Sequence, residues 1–120
     1  MKVRALRGAT TCDVDTVEEI DAKTQALVTA MLERNGVDHE DLVSIVFTAT
    51  DDLHAQFPAT AARTLGLGDV PLICARELDI TGAKERTVRI LMHLYTERSR
   101  AELHHVYLGA AKSLRDDLPE

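Results

Sequence analysis

A chain containing the run TVRILMHLY, residues 87 to 95, has little freedom in what it can build around it. Apolar and β-branched residues make the run a strand. Alternation then puts Val88, Ile90, Met92 and Leu94 on one face and Arg89, Leu91, His93 and Tyr95 on the other. The first face demands a core. The second carries a guanidinium beside Leu91, and a cation so placed costs several kcal/mol unless an anion meets it or it reaches water. Val70 to Ala75 reads as a second strand, and Thr81-Gly82 supplies a turn signal between the two. Glu77, at the end of that earlier strand, is the candidate partner within the chain, and an anionic ligand would serve equally well. A structural Arg89–Glu77 pair, an arginine reaching solvent and a ligand-binding arginine all fit this pattern.

At 120 residues the chain suits one domain, too small to enclose a deep pocket comfortably, so an oligomer is a natural expectation. A net charge of −6 argues against general binding to nucleic acid or a membrane surface, which draws on clustered lysine and arginine. Only four of the fourteen basic residues are lysine. Arginine grips a carboxylate with two prongs, so the bias suits recognition of discrete anions. Cys12 and Cys74 make neither a disulfide framework nor a CxxC pair, and the N-terminal run MKVRALRGAT has no apolar signal region. No run of eighteen apolar residues occurs, and a cytoplasmic, non-membrane protein is expected.

Along the chain, Lys2 to Leu6 reads as a strand ended by Arg7-Gly8, followed by a polar turn from Thr10 to Asp15. Thr16 and Glu19 form a capping box. Ile20, Leu27, Val28, Met31 and Leu32 keep the spacing of an amphipathic helix of roughly five turns, which Asn35-Gly36 closes. After a short turn at Asp38 to Asp41, the continuous run Leu42 to Ala49 implies a strand covered on both faces. Pro58 suits the first position of a helix over Ala59 to Leu65, with Gly66 past its end. Ser99 and Glu102 make a second capping box around a short helix, before a brief strand at His105 to Leu108. The tail from about residue 110 is expected to be mobile. The sum is an α+β domain: a mixed sheet of about five strands with one long and two short helices against one face.

No metal site is expected. His39, His54, His93, His104 and His105 have no HxxxH spacing, and neighbours on a strand point to opposite faces. Asp51-Asp52 is more simply a turn-forming pair than an acid and a base, and Cys74 lies within a strand with no activating group nearby. Tyr107 fits a core ring, or a hydroxyl offered to a ligand. Arg7, Arg63, Arg89 and Arg115 remain, with Glu77 and Tyr107 as companions, and suggest a pocket for a small dianion without revealing any chemistry.

RGATT at Arg7 to Thr11, TATDDLHAQFPA at Thr48 to Ala59, VPLICARELDITG at Val70 to Gly82, the strand Val88-Arg89-Ile90, and HVYL with SLRDDL near the end resemble the monofunctional chorismate mutases of the Bacillus type. The resemblance spans nearly the whole chain with its segments in order. It implies a homotrimer with a pseudo-barrel core and a pocket at each subunit interface. It implies rearrangement of chorismate to prephenate in aromatic amino-acid biosynthesis, without cofactor, metal or nucleophile. By matched position, Arg89 would meet the ether oxygen, and Arg7 and Tyr107 a substrate carboxylate. Glu77 would accept from the ring hydroxyl, assisted by Cys74, and would orient Arg89. Phe57 and Ala59 would line the wall, Ile73 would stand beside Cys74 among the substrate-binding residues, and Arg63 and Arg115 would sit at the mouth. Two departures stand out: Thr60 where the family often has lysine, and Ile73 for a commoner threonine. The rival readings are a non-catalytic trimeric module binding small carboxylates and a small trimeric imine deaminase.

Overall fold

The computed structural model describes residues 1–114. Five strands, β1 (Lys2–Thr11), β2 (Leu42–Ala49), β3 (Leu72–Arg76), β4 (Thr87–Thr96) and β5 (Val106–Tyr107), form one sheet in the order β3-β2-β4-β1-β5. β4 is the central strand, antiparallel to both β1 and β2, while β3 and β5 pair in parallel with β2 and β1. The mixed sheet expected from the sequence is present. β3 and β4, consecutive in the chain, are kept apart by β2.

One face of the sheet is closed by α1 (Val17–Arg34) and α2 (Pro58–Ala62). Leu27, Val28 and Met31 of α1 share one core with Leu6, Ile45, Phe47, Ile90, Met92 and Leu94 from the sheet and Ala59, Ala62 and Leu67 from the α2 region. α1 begins where Thr16 Oγ1 accepts the amide of Glu19 at 3.1 Å. The reciprocal half of the expected box is redirected, for Glu19 Oε2 accepts the amide of Asp13 at 2.7 Å and so ties down the incoming turn. Asn35 and Gly36, the latter at φ 58°, end the helix as expected. Pro58 occupies the first turn of α2, which continues as one wider turn, Arg63–Leu67, through Gly66 at φ 91°.

Two expectations need correcting. β1 does not stop at Leu6 but runs to Thr11, pairing Gly8 with Ile90 and Ala9 with Arg89. Gly8 is there because α1 crosses it. A Cβ at that position would fall 2.5 Å from Met31 Sδ and 3.2 Å from Leu27 Cδ1. β2 is not covered on both faces, since only Ile45 and Phe47 are fully buried while Val46 and Thr48 look outward. The segment Gly109–Leu114, placed in the tail by the sequence, is a 3-10 helix whose Ala111 packs with Ala9 and Tyr107. The second sheet face is open. Val3, Ile73, Leu91 and Tyr95 lie on it at 51%, 62%, 38% and 47% exposure, more apolar surface than an isolated sheet face comfortably shows to water. Among the described residues no helix is long and apolar enough to cross a membrane.

Candidate active site

The site lies on the open face and follows from the register. β4 sets Arg89 between Ala9 of β1 and Thr48 of β2, and two residues along sets Leu91 between Arg7 and Val46. Ala9 is itself covered by Tyr107 and Ala111, and beside that cluster the Arg89 side chain borders a hollow. Tyr107, only 4% exposed, closes that hollow from β5. Arg7, Val46, Thr48, Glu77, Arg89, Leu91, Tyr107 and Leu114 together line a cleft of about 320 Å³.

Glu77 follows β3 directly, and its amide donates to Ala49 O at 3.0 Å, extending the β2–β3 ladder by one rung and fixing where its side chain begins. The carboxylate is then gripped twice at the same oxygen. Thr48 Oγ1 donates to Oε2 at 2.6 Å and Arg89 Nε stands 3.2 Å from it. Both of these contacts fall on Oε2. Arg89 meets Glu77 as an ion pair, is 44% exposed, and has its outer edge available to an anion. Two of the alternatives left open by the sequence therefore hold together: the arginine is paired, and it still faces the cleft.

Thr48 escaped the sequence reading. A threonine within an apolar strand looks like β propensity, and only its register opposite Arg89 shows that its hydroxyl faces Glu77. The acidic pair Asp51-Asp52 behaves as turn chemistry. Asp52 accepts the Arg86 amide at 3.1 and 3.0 Å, stabilising a residue held at φ 46°. Asp51 takes Nε and Nη2 of Arg76 at 2.6 and 2.7 Å, and that hydrogen-bonded guanidinium holds its carboxyl below the usual range. Cys12 is buried, and desolvation, followed by the charge of Glu19, pushes its thiol up to about 11. Among the described residues no three of His, Cys, Asp and Glu gather as a metal site would need.

The remaining candidates lie elsewhere. Phe57, exposed at 70%, and Cys74 line a second groove of about 410 Å³ with His54, Pro58 and Arg76. This groove shares no lining residue with the cleft. Ala59 is 2% exposed and belongs to the core. Ile73 lies on the open sheet face, Arg63 is exposed on the turn after α2, and Arg115 lies outside the described residues. The chain thus brings Arg7, Glu77, Arg89 and Tyr107 together and leaves Phe57, Arg63, Ile73 and Cys74 apart from them.

A cleft with two guanidiniums, one half-committed carboxylate, a phenol and an apolar floor suits a small dianion that also carries a hydroxyl. Comparison with known proteins decides between the families able to build it. The sequence matches the family Chorismate mutase type I over residues 3–118. The chain belongs to this family. Chorismate mutase AroH of Bacillus subtilis is 43% identical over 119 residues, covering 98% of this chain and 94% of the relative. Chorismate mutase AroH of Thermus thermophilus is 44% identical over 117 residues, covering 97% and 96%. Among solved structures, a chorismate mutase from Clostridium thermocellum superposes with a TM-score of 0.90 at 44% identity, covering 92% of this chain and 98% of the other. Membership in this family agrees with the resemblance read from the five sequence segments.

Proposed function

We propose that this protein is a chorismate mutase, converting chorismate to prephenate for aromatic amino-acid biosynthesis in the cytoplasm. The observation that carries the reading is the Glu77–Arg89 pair on the open sheet face, with Arg7 and Tyr107 in the same cleft. The reaction breaks an ether C–O bond as a C–C bond forms, and it needs no proton transfer, nucleophile or cofactor. What a protein can contribute is to hold the substrate folded, with its enolpyruvyl arm over the ring, and to meet the charge that grows on the ether oxygen. Arg89 performs the second task. Its ion pair with Glu77 engages the Nε edge and leaves the outer edge of the guanidinium towards the cleft. Arg7 and Tyr107 hold a carboxylate, and Glu77 Oε1 accepts from the ring hydroxyl.

The working unit in this reading is a homotrimer. The apolar residues left on the open face support it, as does the separation of the Phe57–Cys74 groove from the arginine cleft within one chain. The groove of one subunit, with Phe57 and Cys74 and with Ile73 and Arg63 outside its lining, would face the Arg7, Glu77, Arg89 and Tyr107 of its neighbour. Ala59 would support that wall from within, and Arg115 would reach the mouth. Incubation with chorismate, followed by loss of its ultraviolet absorbance, tests the activity directly. Absence of turnover by a folded trimer that still binds the substrate would favour a carboxylate-binding module instead.

A further inference from the structure

β5 has only two residues, yet Arg7 and Tyr107 must stand at a fixed distance for one carboxylate to reach both. The β1–β5 ladder pairs Gly8 with Val106 and Ala9 with Tyr107, and the Leu108 amide donates to Ala9 O at 2.9 Å. One rung earlier the backbone partner is replaced. The amide of Arg7 donates to Nδ1 of the His105 ring at 2.9 Å. Accepting at Nδ1 requires that nitrogen to carry no proton, which selects the neutral tautomer with its proton on Nε2. His105 is 8% exposed.

The segment holding that ring is itself fixed from behind. Asn35, 2% exposed at the end of α1, accepts the His104 amide at 2.7 Å and donates Nδ2 to His104 O at 2.8 Å and to Met31 O at 2.9 Å. The end of the long helix therefore sets His104, and His105 in turn sets the backbone of Arg7.

We propose that His105 is a positioning residue for the active site, its neutral ring supplying the missing rung of the β1–β5 ladder and fixing Arg7 relative to Tyr107. This rests on the reading that those two residues hold a substrate carboxylate. The function of the ring is to accept one hydrogen bond, so another acceptor at the same place should replace it. The carboxamide oxygen of asparagine can occupy about the position of Nδ1, and leucine offers no acceptor.

The test uses ¹⁵N-labelled full-length protein in its native assembly. A through-hydrogen-bond coupling between the Arg7 amide nitrogen and His105 Nδ1 is expected in the wild type. His105→Leu should lower kcat/KM for chorismate about tenfold, mainly through KM, as loss of one hydrogen bond to an ordering group implies. His105→Asn should recover to within about threefold of wild type. Amide exchange at Arg7 should accelerate in the leucine variant and remain slow in the asparagine variant. Should the leucine variant fail to fold, the wild-type coupling and the asparagine variant still decide. Turnover without the coupling, or equal losses in the two variants, overturns the assignment. A folded wild type without turnover overturns the functional reading instead, and the coupling then reports the contact alone.

Discussion

Gly8→Ala is a one-carbon change whose outcome the packing determines. The added Cβ would lie 2.5 Å from Met31 Sδ and 3.2 Å from Met31 Cε and Leu27 Cδ1, all in the core between α1 and β1. Sulfur and carbon rest near 3.8 Å, so the helix and strand must part by about 1 Å or Met31 must leave its rotamer. Overpacking of this kind costs about 1–3 kcal/mol, and replacing a strand glycine by alanine returns roughly 0.5–1 kcal/mol of backbone entropy. The net expectation is a destabilisation of about 1–2 kcal/mol, or roughly 3–10 °C in melting temperature at fixed protein concentration. The strand that moves also carries Arg7, so kcat/KM should fall as well, because displacements near 1 Å are expensive in an organised site. Met31→Ala removes two of the three obstructing atoms, the closest included, and leaves Leu27 Cδ1 room to shift, so on that background Gly8→Ala should cost much less or nothing. Equal penalties on both backgrounds would show that helix approach is not the reason for the glycine.

Four further outcomes follow from the site. Arg89→Ala should cost roughly 3 kcal/mol or more in kcat/KM while the protein stays folded, and Arg89→Lys should recover little; steady-state kinetics decide, and near-normal kcat would refute the electrostatic role. Thr48→Val keeps the shape and loses the hydroxyl donated to Glu77 Oε2, a bond to a charged group worth about 1.5–3 kcal/mol, so kcat/KM should drop roughly tenfold or more with little change in melting. In trimers refolded from equal parts of Arg89→Ala and Phe57→Asp, about one interface in four receives both intact halves, so activity near a quarter of wild type is expected; activity no greater than the sum of the separate variants would place groove and cleft in one working site on a single chain. Cys12, with its thiol held up to about 11 from the ordinary 9.0, favours the fold while neutral, so stability should decline as pH rises from about 9 towards 11. Cys12→Ala should flatten that alkaline limb in denaturant titrations.

Much of the helical layer could be read directly from residue spacing, because Thr16, the apolar stripe through Met31 and Asn35-Gly36 each act within a few residues of themselves. The suspicion about Arg89 was legible for the same reason, since strand alternation alone puts it beside Leu91. Gly8 was misread because the sequence shows only that glycine can bend. The structure shows that this one is small so that a helix from another part of the chain can pass. Thr48 and His105 were silent for a related reason: their partners lie 29 and 98 residues away, across the sheet. The division of the candidate residues between a cleft and a separate groove had no local signature at all.

The central position of β4 also bears on how the molecule comes into existence. β1 pairs along its length with β4, from Lys2 opposite Thr96 to Thr11 opposite Thr87, so β1 waits for a partner made after β2 and β3. At about 5–20 residues per second, roughly 4 to 15 seconds of synthesis separate Thr11 from Thr87. Through that interval Leu6 and the apolar stripe of α1 have at most the β2–β3 pair to close upon, without β4 beneath them, and the cost of closing so long a loop falls on the final step. Arg7 and Arg89 meet only then. A nascent chain at this stage is an apolar helix awaiting its floor, which makes it a natural client for a holding chaperone.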